Sequence, residues 1–251
     1  MEVLINLVPK YVKKRFDILD NKFSIFLNKK IFEPNLTTML LIDTASKIIK
    51  KNDKVLDLGC GSGVVGCYLY KKKIISYIYG SDISKSAVNC SLFNARKLTK
   101  NYDIRLSDSL KNWQNKKFDL IINDISGISS QINSISKWFK FAPNESGNDG
   151  NKFLINILND YKNKYFNKAR LLFPVLGLSN REKIIDFLKK NNIKYKILVK
   201  KEWPLPKDLI KHKFILKKLK REKKINYYEK FSILFTTTEI FYLNNQQTFS
   251  K

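Results

Sequence analysis

Val55-Leu56-Asp57-Leu58-Gly59-Cys60-Gly61-Ser62-Gly63-Val64-Val65-Gly66 is the stretch that decides how this chain is read. A short apolar run ends in an acid, Asp57, passes through glycines at 59, 61 and 63, and resumes as an apolar, helix-like segment. Glycine lets a backbone turn tightly and approach a ligand closely, and a helix N-terminus presents free N–H groups. The stretch predicts a strand, a ligand cradle and a helix, a combination suited to a nucleoside cofactor.

Working outward, short apolar runs alternate with helix-like segments, the signature of a parallel sheet wrapped by helices. Strands are expected at Lys54–Leu58, Tyr77–Ser81, Ile104–Leu106, Phe118–Asn123, Ala169–Val175, Tyr195–Lys200 and Ser232–Phe241. Helices are expected over Gly63–Lys72, Lys85–Thr99, Lys152–Lys164 and Asn180–Asn191. An earlier helix, Leu36–Lys50, carries an apolar stripe from Leu36 to Ile49 and is offered a cap by Asn35. The fold class is therefore α/β: a doubly wound, Rossmann-like, seven-stranded, mostly parallel sheet with helices on both faces. Residues 1–30 form a separate N-terminal segment in which Phe23–Leu27 can be one strand of a hairpin; residues 31–251 form the main domain, with a basic insertion at about 202–230.

Composition bounds the possibilities. The 251 residues suit one large domain with an appendage. Hydrophobic residues at 43% and charged residues at 28% are ordinary globular usage and exclude a wholly disordered or fibrous chain. Apolar runs such as Leu171–Leu178 fall far short of the roughly 20 residues that cross a bilayer, so no membrane association is expected. The opening Met1–Pro9 lacks a basic lead-in and cleavage site. Cys60, Cys67 and Cys90 cannot all pair and have no metal-ligand partner at a useful spacing, which reads as a reduced, cytoplasmic protein without a metal.

The net charge is +26, from 48 basic and 22 acidic residues. Such a surface attracts nucleic acid or another polyanion. Only 6 of the basic residues are Arg, and Asn, Ile, Phe and Tyr abound, a bias that an A/T-rich coding sequence also produces. Residues 189–224 hold 15 Lys or Arg against Glu202, Asp208 and Glu222, a local net of +12. That segment reads either as a positive lip for a phosphate backbone or as a solvated helix covering the sheet edge.

Two cofactor classes compete for the glycine turn. Gly61, Gly63 and Gly66 satisfy the dinucleotide spacing, with Asp82 about 20 residues on. A smaller cofactor is favoured by Asp57 at the strand end, by the extra Gly59 and by the absence of a second mononucleotide half. An acid at that tip repels a pyrophosphate and suits an ammonium and a sulfonium.

From about Ile31 onward the sequence resembles the class I S-adenosylmethionine-dependent methyltransferases, on the strength of the motif at Asp57–Gly63. The resemblance implies that Asp57 and the turn residues Gly59, Cys60, Gly61 and Gly63 hold the methionine moiety. In Gly80-Ser81-Asp82-Ile83-Ser84 it implies that Asp82 binds both ribose hydroxyls and that Ile83 lies against the adenine. Asp108 and Ser109, after the third strand, fall where the family often keeps an acid near the adenine amino group.

Within that family the chain is most similar to the glutamine-N5 and nucleic-acid amine methyltransferases, including the release-factor glutamine branch. Ile31-Phe32-Glu33-Pro34-Asn35-Leu36-Thr37-Thr38 looks like the segment that closes over the cofactor, and Ser146-Gly147-Asn148-Asp149-Gly150-Asn151 like that branch's loop after the fourth strand. At the end of the fourth strand those enzymes read Asn-Pro-Pro-aromatic, where this chain has Asn123-Asp124-Ile125-Ser126. The expected catalytic residues are Asn123, which also borders the cofactor, and Asp124; stacking would have to come from elsewhere, with Trp113, Trp138 and Phe139 as candidates.

The resemblance implies a methyl acceptor nitrogen on a protein glutamine or on a nucleic-acid exocyclic amine, hence a protein or an RNA or ribonucleoprotein partner. Residues 1–30 are too few for the helical recognition domain of release-factor enzymes, which points to a different substrate. Two rivals stand beside it: a nicotinamide-dependent oxidoreductase, and a non-catalytic basic module that retains the cofactor fold. His212, the single histidine, lies among lysines and reads as a surface residue.

Overall fold

A computed structural model describes residues 10–125, 127–136, 146–165 and 168–245. The chain begins with a hairpin, β1 (Val12–Ile18) and β2 (Asn21–Leu27), turning through Leu19 and Asp20, both left-handed. Helix α1 (Leu36–Ile48) starts where Asn35 Oδ1 accepts from the amides of Thr37 (2.8 Å) and Thr38 (3.2 Å). Then come β3 (Val55–Leu58), α2 (Val64–Lys71), β4 (Ile78–Asp82), α3 (Lys85–Arg96), β5 (Tyr102–Leu106) and β6 (Leu120–Asn123). The second half runs α4 (Ser130–Ile135), α5 (Lys152–Lys164), β7 (Arg170–Leu176), α6 (Arg181–Lys190), β8 (Tyr195–Pro204), α7 (Lys207–Ile210), α8 (Lys213–Arg221), β9 (Tyr228–Lys230) and β10 (Ile233–Leu243).

The main sheet has the order β5-β4-β3-β6-β7-β10-β8. Strands β3 to β7 are parallel, and β10 pairs antiparallel with both β7 and β8. Along β6, Leu120 and Ile122 enter the core under α1 and α2, while Ile121 enters the opposite core under α5 and α6. This period-two alternation of wholly apolar residues is what a strand buried on both faces requires.

The seven expected strands are all present within a few residues, and β9 adds a short eighth against β10. Strand β8 extends past Lys200 to Pro204 because its pairing continues along β10 as far as Phe235↔Pro204. The solvated helix expected within 189–224 is two helices, α7 and α8, broken around Lys211 and His212, and α4 was not expected at all. The basic 202–230 region is an ordered lobe with its own apolar centre, in which Leu205, Leu209, Leu216, Leu219 and Ile225 meet Ile128 and Ile132.

The N-terminal hairpin is bound into the main body. Its Ile18, Phe23, Ile25 and Leu27 share one core with Leu41, Val65 and Tyr68. Asn94 of α3 ties it to the glycine turn, donating to Phe26 O (2.8 Å) and Ser62 O (3.0 Å) and accepting from Phe26 N (2.9 Å).

Under the sheet, the buried Arg170 donates to Ile48 O at the end of α1 (2.9 Å) and to Asp119 O (3.2 Å), and pairs with Asp53. An ion pair this enclosed contributes little net stability, but losing one member strands the other charge. Arg170→Met is expected to lower the unfolding free energy by about 3–5 kcal/mol, read from urea denaturation. A loss under 1 kcal/mol would mean that Asp53 finds water.

Candidate active site

The cleft opens at the carboxyl ends of β3 to β6, where open α/β sheets carry their ligands. Its floor is the glycine turn. Gly59 N and Cys60 N both donate to Ser81 O at the end of β4 (2.8 and 2.9 Å), so the turn is latched to the neighbouring strand. Gly61 N then donates to Asp82 Oδ2 (3.0 Å) and Ser84 N to Asp82 Oδ1 (2.8 Å), which fixes both oxygens of that carboxylate.

Gly61 and Gly63 lie in the left-handed region. A Cβ on Gly61 would meet nothing within 4 Å, so the cleft reaches the main chain there, as close approach of a ligand requires. A Cβ on Gly63 would lie 2.5 Å from Ser91 Oγ: this glycine packs α2 against α3 and does not line the cleft.

The walls gather Gly59, Cys60, Gly61, Asp82, Ile83, Asp108, Ser109 and Asp124 from the expected residues, together with the segment from Lys30 to Thr38. Sequence reasoning missed Ser84, Phe153 and Asn156 as lining residues. It also missed the link across the mouth, where Thr38 Oγ1 donates to Asp124 Oδ2 (2.7 Å). Residues 86 positions apart carry no local signal of such a contact. Ile83 is 58% exposed, an apolar face on the rim, and Asp108 is paired with Lys111.

Asp57 and Asn123 depart from expectation. Asp57 is 2% exposed behind the turn; one oxygen accepts from Gly66 N (3.2 Å) and Oδ1 has no hydrogen-bond partner. Asn123 is fully buried and folds back on its own chain, its Oδ1 accepting from Ile125 N (3.1 Å) and its Nδ2 donating to Ile125 O (3.3 Å). Neither residue lines the cleft: Asp57 turns toward the Gly66 amide of α2, and Asn123 turns onto its own loop at Ile125. Trp113 is enclosed against Tyr79 and Phe118 and offers the cleft no stacking face, whereas Phe153 of α5 does line it. Ser126, Trp138 and Phe139 lie outside the described residues.

The loops beyond β6 and before α5 interlock. A Cβ on Gly127 would fall 2.1 Å from Gly150 O and 2.5 Å from Ser146 Cβ. Ser146 in turn stands in the cleft wall.

Crowded carboxyls, Asp57 buried and Asp82 and Asp124 partly so, dominate the electrostatics. Burial pushes Asp57 up to about 8, helped by Asp124 and Asp82 and opposed by the Gly66 amide. Burial pushes Asp124 up to about 7, opposed by the Thr38 hydroxyl, and raises Asp82 against three amides that hold it down. Such a site favours a cation. The three cysteines are free and buried, and burial holds the Cys60 thiol well above its ordinary range, consistent with a packing role. Among the described residues no group of His, Cys, Asp and Glu could hold a metal, and no helix is long and apolar enough to cross a membrane. His212 is exposed, as expected.

A site of this build fits an adenosine cofactor with a positive centre: an acid fixed beside an open glycine backbone, an apolar rim and a carboxyl oxygen left unpaired behind the turn. Residues 22–125 match the family model of the methyltransferase small domain. The ribosomal protein L11 methyltransferase of Thermosipho melanesiensis is 39% identical over 89 residues, 36% of this chain and 34% of that protein. The release factor glutamine methyltransferase of Borreliella burgdorferi is 32% identical over 165 residues, 61% of this chain and 55% of that protein. The chain thus spans between a third and just over half of these relatives. In structure it resembles the E. cuniculi Mtq2–Trm112 complex, responsible for methylation of the eRF1 translation termination factor, with a TM-score of 0.53 at 13% identity over 86% of this chain and 99% of that one. The family match is thus to a methyltransferase small domain over residues 22–125, and the fold built around them is shared with the Mtq2–Trm112 structure.

The raised carboxyls set a pH dependence. Above about pH 4 an unfolded aspartate releases its proton. Buried Asp57 keeps its own up to about 8, so the native state binds more protons and stability falls as pH rises between the two values. Asp57→Asn keeps an acceptor for Gly66 N and removes the titration. Its thermal midpoint is expected to match the parent near pH 4 and exceed it at pH 8; a difference that stays flat across that range would refute the assignment.

Proposed function

We propose that the protein is an S-adenosylmethionine-dependent methyltransferase acting on a nitrogen, either a protein glutamine amide or an exocyclic amine of RNA. The observation that carries this reading is the Asp82 carboxylate, fixed by the amides of Gly61 and Ser84 beside an open glycine backbone in an acid-lined cleft. When bound, the cofactor supplies an electrophilic methyl on a positively charged sulfur. Asp82 would hold the ribose hydroxyls, Ile83 the adenine face, and the Gly59–Gly61 backbone the methionine end. Asp82 and, once they ionise, Asp124 and the buried Asp57 give the cleft the negative potential that a sulfonium needs.

On the acceptor side, Asp124 takes over from the carbonyl that the Asn-Pro-Pro-aromatic motif supplies. Thr38 occupies its Oδ2, and Oδ1 accepts a hydrogen from the target nitrogen, leaving the lone pair directed at the methyl group. Phe153 provides the aromatic wall. Asn123 braces the turn through Ile125 and positions Asp124 rather than touching the acceptor. Orientation of the two reactants supplies most of the acceleration in a direct displacement. Relatives that methylate release factors and ribosomal protein L11 support a partner in the translation apparatus.

Equilibrium binding of labelled S-adenosylmethionine and of NADH to the purified protein tests the reading, followed by transfer of labelled methyl to RNA and protein from cells lacking the gene. Binding of the first without the second is expected; tight NADH binding would establish the oxidoreductase instead, and cofactor binding with no transfer would favour the non-catalytic module. Asp82→Ala is expected to weaken S-adenosylmethionine binding by about 1.5–3 kcal/mol, the scale of hydrogen bonds to a charged group, as calorimetry would measure. As Asp124 and Asp57 ionise between about pH 7 and 8, affinity for the sulfonium should rise relative to the neutral thioether S-adenosylhomocysteine. Parallel pH profiles for the two ligands would remove these carboxyls from the sulfur's surroundings.

A further inference from the structure

The lobe formed by α7, α8 and the β9–β10 hairpin stands at the same end of the sheet as the cleft. Strand β8 runs parallel to β7, since both pair antiparallel with β10, and its carboxyl end leads into α7. The lobe packs on Ile128 and Ile132, directly beyond the β6 tip that bears Asp124.

Helix α8 divides sharply. Leu216 and Leu219 are buried, while Phe214, Lys217, Lys218 and Arg221 share the outward face at spacings of three, four and seven. Phe214 is 82% exposed at the N-terminal end of that row of cations. Among the described residues none of Lys213, Lys217, Lys218 and Arg221 is in a salt bridge; the nearby Glu222 is bridged to Lys224. The 36-residue stretch 189–224 carries +12 of the chain's +26, so the charge is concentrated here rather than spread evenly.

The hairpin adds a second, independent feature. Its two-residue turn is Phe231-Ser232, and both residues have positive φ, 52° and 58°. Asn-Gly is the pair that suits such a turn, and a bulky residue there is strained. Nothing in the fold uses the side chain, since Phe231 is 86% exposed with Lys230 beside its ring. A strained, solvent-facing aromatic next to a cation points to use outside the fold.

We infer that this face binds an unpaired stretch of RNA, with Lys217, Lys218 and Arg221 against phosphates and Phe214 and Phe231 stacked on bases. Backbone charge and stacking platforms are the two elements of single-strand recognition, and RNA loops are where a cell keeps bases unstacked and available. Acidic peptides would be served by the lysines but give no purpose to two exposed aromatic rings; an anionic membrane would use both, and the vesicle arm of the test separates it. The inference does not depend on methyl transfer, because the surface lies outside the cofactor cleft.

Fluorescence anisotropy of the full chain with labelled oligouridylate, without cofactor, tests it. Binding is expected to weaken steeply with salt. The Lys217→Glu/Lys218→Glu variant should raise Kd at least about ten-fold, and Phe214→Ala and Phe231→Asn about five-fold each. Asn suits the turn better than Phe, so a loss of binding in Phe231→Asn cannot come from unfolding. S-adenosylmethionine affinity should be unchanged in all three, which separates this surface from the cofactor site. Oligouridylate binding that ignores these substitutions would overturn the inference. So would equally tight capture, through the same residues, of polyglutamate, of phosphatidylglycerol vesicles or of single-stranded DNA.

Discussion

Everything at the cleft depends on the carbonyl of Ser81. Two consecutive amides of the glycine turn, Gly59 and Cys60, converge on it, and the next residue along β4, Asp82, receives the amide of Gly61. The crossover from β3 to α2 is thereby fixed to the tip of the adjacent strand, and the acid that faces the cleft is held by the loop it serves. Gly80 allows the approach: a Cβ there would meet Cys60 Cβ at 3.3 Å, so strand, turn and cysteine are fitted to each other's small size. The thiol at 60 fills space in a gap too tight for a larger side chain.

On the proposed function, the cofactor side keeps the arrangement of the resembled methyltransferases and the acceptor side alters it. An aspartate stands where a proline supplies a rigid carbonyl, and it is steadied by a threonine from the leading helix instead of by a ring. A carboxyl in that position is a stronger acceptor than a carbonyl but titrates, so the chemistry of the mouth is tied to the protonation of a partly buried group. The aromatic wall has moved from the strand tip to α5, where Phe153 lies one turn from Asn156 and Ile157 in the same lining.

Much of this was legible in the sequence for definite reasons. Strands β3, β6 and β7 are apolar runs bounded by turns, and α5 spans the expected Lys152–Lys164. Gly59, Cys60, Gly61, Asp82, Ile83, Asp108 and Asp124 line the cleft because motif spacing fixes which strand ends they occupy. What could not be read was orientation and distance. Asp57 and Asn123 sit at the right ends of the right strands, yet their side chains turn away from the cleft, Asp57 toward the Gly66 amide and Asn123 onto its own loop. Thr38 reaches Asp124 through tertiary packing alone, and α4 is too short and too weakly patterned to announce itself. The hairpin of β1 and β2 looked peripheral because its burial depends on Asn94, far along the chain.

The interlock of Gly127 with Gly150 constrains how such a cleft can diversify. A Cβ at either glycine would run into the facing loop's main chain, with the Ser146 side chain also pressed against Gly127. Neither Gly127 nor Gly150 can therefore acquire a side chain without displacing the facing loop. New acceptors would have to be accommodated by exchanging the side chains of Ile125, Ser146 and Phe153 around an unchanged backbone frame.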